Sequence, residues 1–246
     1  MPAHPPWASG PGEILRHALD LLKTDSDINR RLAMISIDNA VELMIKVYLG
    51  LPKRITGLSI TRKQYQEFAE SFPLLLDALE THASDKIVGV NVGEIEWYHR
   101  LRNELYHQGN GLTVEREKVE VYAQLANILF EGLFGVRLFE PRDEKTKLVG
   151  EFIASWAEFD QALSLRRSAG HEGHMPLIDH IRRLRTSGVL TASELATLES
   201  LRRMRNQVVH AQPNKDVPLT QSTIELLRAF SQKIRKASMA KSPSQS

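Results

Sequence analysis

Apolar residues recur at spacings of three and four along most of this chain, the pattern of amphipathic helices. Over residues 28–50, Ala33, Ile37, Ala40, Met44 and Val47 form one such stripe, and Gly50 followed by Pro52 closes it. The same reading predicts helices over 13–23, 61–82, 93–107 and 113–135. The helix over 61–82 is expected to bend near Pro73, because proline removes a helical hydrogen bond. Residues 88–92 are β-branched but interrupted by glycine, and read as a loop. The polar stretch 141–147 reads as a linker and a domain boundary. Beyond it, helices are expected over 148–168, 176–187, 191–210 and 220–237, with a loop over 169–174. Thr191 and Glu194 supply the spacing of a capping box. No stretch carries a convincing strand or hairpin pattern. The expected fold class is all-α: two helical-bundle domains of four to five helices each, over 11–140 and 147–237. A disordered polar tail is expected over 238–246.

An internal repeat stands out against this pattern. Residues 96–107 read Glu-Trp-Tyr-His-Arg-Leu-Arg-Asn-Glu-Leu-Tyr-His, and residues 199–210 read Glu-Ser-Leu-Arg-Arg-Met-Arg-Asn-Gln-Val-Val-His. At a constant offset of 103 residues the two share Glu96/Glu199, Arg100/Arg203, Arg102/Arg205, Asn103/Asn206 and His107/His210. Apolar positions correspond as well: Tyr98/Leu201, Leu101/Met204 and Leu105/Val208. Each copy of Arg-Asn-x-x-x-His closes a helix. The helices before them fit a duplication, with Ala40 and Ala157 as rough counterparts and about 14 extra residues in the first half.

Composition narrows the chemistry. The 246 residues are 42% hydrophobic and 25% charged, ordinary values for a globular protein. Cysteine is absent, which excludes thiolate catalysis, cysteine zinc sites and disulfides. The net charge of +2 is unevenly spread: 17 basic against 21 acidic residues through Lys145, then 15 against 9. Ten of those last 15 are arginine, as expected of a half that faces a polyanion. Arginine on solvated helix faces is also common, so the charge alone decides nothing.

The motif has a chemical logic. Arginine and histidine five residues apart on a helix sit roughly 140° and about 7.5 Å apart, within reach of a curled guanidinium arm. Asparagine and histidine four apart are nearly stacked. Arginine presents a fork of donors suited to a phosphate or a phosphorane. Histidine gives or takes a proton near neutral pH. Asparagine can orient the imidazole or hold a phosphate oxygen. Together they suit cleavage of RNA by its own 2′-hydroxyl, which needs no metal and which DNA cannot undergo. The structural reading of the same residues is a histidine capping a helix dipole beside an arginine in an ion pair. Two copies in register favour the chemical reading.

On these residues the chain resembles the HEPN superfamily of helical-bundle proteins, most strongly over residues 198–210. The first half is similar at residues 38–46 and 101–107. The resemblance implies a metal-independent endoribonuclease in which two copies face each other. It nominates Arg102, Asn103, His107, Arg205, Asn206 and His210 as catalytic residues, with Arg100, Arg202, Arg203 and His99 binding RNA. It implies no cofactor and no metal, an RNA substrate, and pairing of the copies within one chain or in a homodimer. Family members often act as toxins or antiviral effectors under an antitoxin or an activator; others are non-catalytic nucleotide-binding or dimerisation modules. Some family toxins carry a tyrosine two residues after the histidine, where this chain has Gly109 and Gln212.

Other candidates are weaker. His171 and His174 invite a metal reading, but no third ligand follows by spacing. Asp38 and Glu42 lie one turn apart and could face the first motif, although Glu42 reads more simply as an exposed pair with Lys46, the preferred reading. Glycine-rich phosphate loops, a serine nucleophile elbow and HExxH are absent from the sequence. Trp7, Trp97 and Trp156 are too widely spread to form a base-stacking platform. The first dozen residues carry four prolines and do not read as a secretory leader, and no stretch reads as a membrane span. The expectation is a cytoplasmic protein without a membrane partner.

Overall fold

The computed structural model describes residues 5–24, 26–87, 90–107, 113–140, 144–165, 184–210 and 219–239. The fold is all-α, with no strand among the described residues. Two compact units divide the chain, Met1–Gly150 and Glu151–Ser246.

The first unit is organised around one long helix. A 3-10 turn, Pro6–Ala8, leads into α1, Ser9–Leu21, and then α2, Asp27–Gly50. Ser26 caps α2 by accepting the Asn29 N–H at 3.2 Å. Its buried face holds the anticipated Ala33, Ile37, Ala40 and Met44, with Met34, Val41, Ile45, Tyr48, Leu49 and one carboxylate, Asp38, whereas Val47 of the expected stripe is only half-buried. Around it pack α1, α5 (Phe72–His82), α6 (Val92–His107) and α7 (Arg116–Phe134). α7 ends at Gly135, whose φ of 72° places it in the left-handed region. Asn127 of α7 then holds the returning chain: its Nδ2 donates to the Phe139 carbonyl at 2.9 Å and its Oδ1 accepts the Leu138 N–H at 3.1 Å.

Residues 61–82 depart from the single bent helix expected there. They form two helices, α4 (Arg62–Phe68) and α5, after a short α3 (Lys53–Thr56) that the pattern did not predict. Ser71 is extended and accepts the Leu74 N–H, so Pro73 sits in the first turn of a new helix. There its missing N–H has no helical partner to lose. The proline starts a helix here instead of bending one.

The second unit draws most of its buried apolar residues from α8 (Glu144–Leu165), α9 (Ala192–Val209) and α10 (Gln221–Met239), with Leu184 and Leu190 added from the chain before α9. They include Phe152, Trp156 and Phe159 on α8, Leu198, Leu201 and Val208 on α9, and Ile224, Leu227 and Ile234 on α10. Thr191 and Glu194 form the anticipated capping box at the start of α9. α8 begins at Glu144, inside the stretch read as a linker, and the two units meet within that helix at residues 150 and 151. Lys145 and Lys147 extend the helix outward from its apolar part, which makes polar sequence resemble a linker. α10 likewise continues through Ser238 and Met239, two residues into the expected tail. The expected loop over 169–174 and residues 240–246 of the tail lie outside the described residues. No described helix is long and apolar enough to cross a membrane.

Candidate functional site

The register of α6 decides what its motif residues meet. Ile95, Tyr98 and Leu105 turn inward, and His99, Arg102, Asn103 and Tyr106 form the stripe beside them, at spacings of three and four. That stripe runs along the edge of the core, where side chains are partly covered yet reach the surface.

At the inner end of the stripe lies Asp38 of α2, with no exposed surface. Both its carboxylate oxygens lie within 3.0–3.1 Å of His99 Nδ1, which donates to them. Tyr122 of α7 donates its hydroxyl to Oδ1 at 2.8 Å. Arg102 Nε stands 3.3 Å from Oδ2, an ion-pair contact without the geometry of a directed hydrogen bond. A carboxylate removed from water needs such partners, since burying it unpaired costs on the order of several kcal/mol. Burial, reinforced by Asp38, pushes the Tyr122 hydroxyl well above its ordinary range, so it stays protonated and donates. Phe72 of α5 stacks flat on the His99 ring, with centroids 4.0 Å apart.

From this anchor the guanidinium of Arg102 faces outward. Nη1 donates to Asn103 Oδ1 at 2.9 Å, and Nη2 donates to Asn39 Oδ1 at 2.8 Å. Each terminal nitrogen carries two protons, so one on each remains for an anionic ligand. Tyr106 lies over the same group, its ring centroid 5.5 Å from the guanidinium carbon. Its ring also meets His107 edge-on at 5.4 Å. Tyr106 is 62% exposed, and it touches both the arginine and the histidine of the motif.

The second unit repeats the local geometry on α9. Arg205 Nη1 donates to Asn206 Oδ1 at 3.0 Å, matching the first copy. His210 follows as the C-cap residue, its backbone N–H bonded to the Asn206 carbonyl at 3.1 Å. The surroundings differ. Arg202 occupies the place of His99 and makes a two-pronged ion pair with Glu199 on its own helix, at 2.7 and 3.0 Å. That pairing lowers the Glu199 carboxyl and raises the Arg202 guanidinium from their ordinary values. Val209, fully buried, stands where the first copy exposes Tyr106.

Three of the arginines and the histidine nominated as RNA contacts thus have protein partners. Arg100 pairs with Glu96, Arg203 lies 3.8 Å from Glu199, Arg202 pairs with Glu199, and His99 bonds Asp38. Arg100 and Arg203 remain exposed, and surface pairs of this kind are weak enough to exchange a carboxylate for a phosphate. Asp38 and Glu42 part company: Glu42 pairs with Lys46 at 2.5 Å, and Asp38 alone faces the motif. Asn39, Tyr106 and Tyr122 were not singled out by sequence. Tyr106 had a signal, being four residues after Arg102 on the same face; Tyr122 had none, as it lies on another helix. His171, His174, Gly109 and Gln212 lie outside the described residues. Among the described residues, no group of three or more histidine, aspartate or glutamate side chains is gathered as a metal site.

No protein-family model, curated protein or solved structure matches the chain.

Proposed function

We propose that the protein is a metal-independent endoribonuclease of HEPN type, working through Arg-Asn-x-x-x-His in both units. The observation that carries this reading is the repeated side-chain arrangement: arginine Nη1 bonded to the next asparagine at 2.9 and 3.0 Å, with a histidine at the helix end in each copy. The bond from Nη1 to asparagine fixes the plane of each guanidinium, and on Arg102 one proton of each Nη remains outward, which suits a phosphate that gains charge in the transition state. In this reading the 2′-oxygen of RNA attacks the adjacent phosphorus, the bond to the 5′-oxygen breaks, and a 2′,3′-cyclic phosphate is left. Histidine takes the hydroxyl proton and histidine supplies one to the leaving oxygen. Arg102 and Arg205 stabilise the charge that develops on the phosphoryl oxygens.

The test is cleavage of total RNA in excess EDTA by the native protein and by folded His107→Ala and His210→Ala variants. Fragments ending in 2′,3′-cyclic phosphate are expected, with cleavage reduced about 100-fold or more in each variant. RNA left intact at high protein and low salt overturns the reading.

A further inference from the structure

His99 is treated by the motif as a neighbour, but its surroundings are those of a proton-transfer group. Its Nδ1 donates to a carboxylate with no exposed surface, at 3.0–3.1 Å, and this fixes the tautomer. In that tautomer Nε2 carries a lone pair. No protein group among the described residues bonds Nε2, and the side chain keeps 16% of its surface exposed. Phe72 holds the ring plane by stacking on it. The groups around His99 are Asp38 from α2, Arg102 from its own helix, Tyr122 from α7 through Asp38, and the apolar Phe72 from α5. An imidazole held by a buried carboxylate on one nitrogen and open on the other is the arrangement of an oriented general base.

Its place along α6 agrees. His99 comes three residues before Arg102 and His107 five after, about 4.5 Å and 7.5 Å of axial rise on either side. A phosphate on the outward donors of Arg102 would have one histidine on each side, as in-line displacement requires.

Resting on the ribonuclease reading, we infer that His99 is the general base of the first unit, oriented by Asp38, and that His107 is its acid. The 2′-hydroxyl proton passes to His99 Nε2 as the O2′–P bond forms. The P–O5′ bond breaks, and protonated His107 gives its proton to the departing 5′-oxygen. Solvent then returns both histidines to their starting states. Arg202 fills the corresponding position in the second unit and cannot accept a proton, so that copy lacks this base. The two copies therefore have unequal roles, and only the first supplies this base.

The experiment measures kcat/KM against pH for cleavage of a short RNA by the native protein, His99→Gln and His99→Gly. Glutamine keeps a donor for Asp38, and unfolding curves check that each variant is folded. The native rate should rise with pH on its acid limb, as catalysis by an unprotonated general base requires. His99→Gln should cleave roughly 100- to 10,000-fold more slowly and lose that limb. Free imidazole, entering the space against Phe72, should restore part of the activity of His99→Gly. A folded His99→Gln that cleaves within about threefold of the native rate with the same pH profile overturns the assignment alone. So does a slow His99→Gln that keeps the native acid limb. Native protein that leaves RNA intact overturns the ribonuclease reading, and this assignment with it.

Discussion

Tyr122 donates its hydroxyl to Oδ1 of Asp38 at 2.8 Å, across 84 residues of sequence and from one helix of the first core to another. Both side chains are fully buried, and the rings of Tyr122 and Tyr98 stack beside them at 4.5 Å. The bond therefore ties α2 to α7 at the depth where α6 brings in His99 and Arg102. The polar atoms of the candidate site and the packing of the core are one arrangement here. A substitution at Asp38 acts on both.

Replacing Asp38 by alanine should cost about 3–5 kcal/mol, because it leaves the Tyr122 hydroxyl and His99 Nδ1 without their acceptor and Arg102 without its buried counter-charge. Tyr122→Phe removes one donor while Asp38 keeps the others, and should cost about 1 kcal/mol. The two residues touch, so the double variant should be less destabilised than the sum of the singles. Urea unfolding of all three measures this. Equal costs for Asp38→Ala and Tyr122→Phe would show that the carboxylate is not the hub.

Much of the site was readable in the residues, and the part that was not has a common cause. The Arg-Asn pair and the helix-end histidine follow from spacing on one helix, and the structure repeats their geometry in both units. The 24-residue α2 was readable to within one residue because its apolar stripe and its Gly-x-Pro stop agree. Asp38 lies within that stripe, and its spacing pointed it toward the first motif without showing which side chains of α6 would meet it or that Tyr122 of α7 would join them. Periodicity describes one helix at a time; which polar residue of another helix meets it is a matter of packing. Pro73 shows the same limit. Proline opens and bends helices alike, and the choice fell to Ser71, whose hydroxyl caps the new helix.

Two glycines of α7 and its cap separate steric from conformational constraint. A Cβ at Gly132 would lie 2.0 Å from the Lys86 carbonyl oxygen, a backbone atom that cannot swing away. Gly132→Ala should therefore push α7 from the turn at Ser84–Lys86, at a cost of about 1–3 kcal/mol. Gly135 has open space but a φ of 72°, so Gly135→Ala should cost roughly 1–2 kcal/mol through strain alone. Asn is tolerated in that conformation, so Gly135→Asn should recover part of the loss while Gly132→Asn should not. Thermal unfolding of the four variants distinguishes the two mechanisms.

If RNA lies against Arg102, the exposed ring of Tyr106 is a surface on which a base can stack. Tyr106→Ala should weaken binding of a short single-stranded RNA by about 1–3 kcal/mol, measured on the cleavage-deficient His107→Ala, His210→Ala background. Val209 holds the matching place in the second unit and is buried, so no such loss of a stacking face is available there. Tyr106→Phe should bind like the parent. An unchanged dissociation constant for Tyr106→Ala would remove the ring from the RNA path.

Glu194 makes the second unit sensitive to acid in a defined window. Its carboxyl is held at about 2, against an ordinary value of 4.5, chiefly by Lys233, whose Nζ lies 2.6 Å from Oε1, and then by the Thr191 N–H. A group whose folded value is depressed adds stability that is complete above its unfolded value and lost as pH falls through the folded one. The contribution should be intact above about pH 5 and fade between about 4.5 and 2. Lys233 comes from α10, so the lost contact is one that joins α10 to the capped end of α9. Glu194→Gln should unfold at lower temperature than the native protein at pH 6, and the difference should close by pH 2. The Gln variant keeps a side chain able to accept the Thr191 N–H, so what disappears with acid is the charge-dependent contact to Lys233. Lys233→Gln should reproduce the same convergence. Melting curves by circular dichroism from pH 6 to 2 follow it; a gap between native and Glu194→Gln that persists at pH 2 would mean the carboxylate charge contributes nothing.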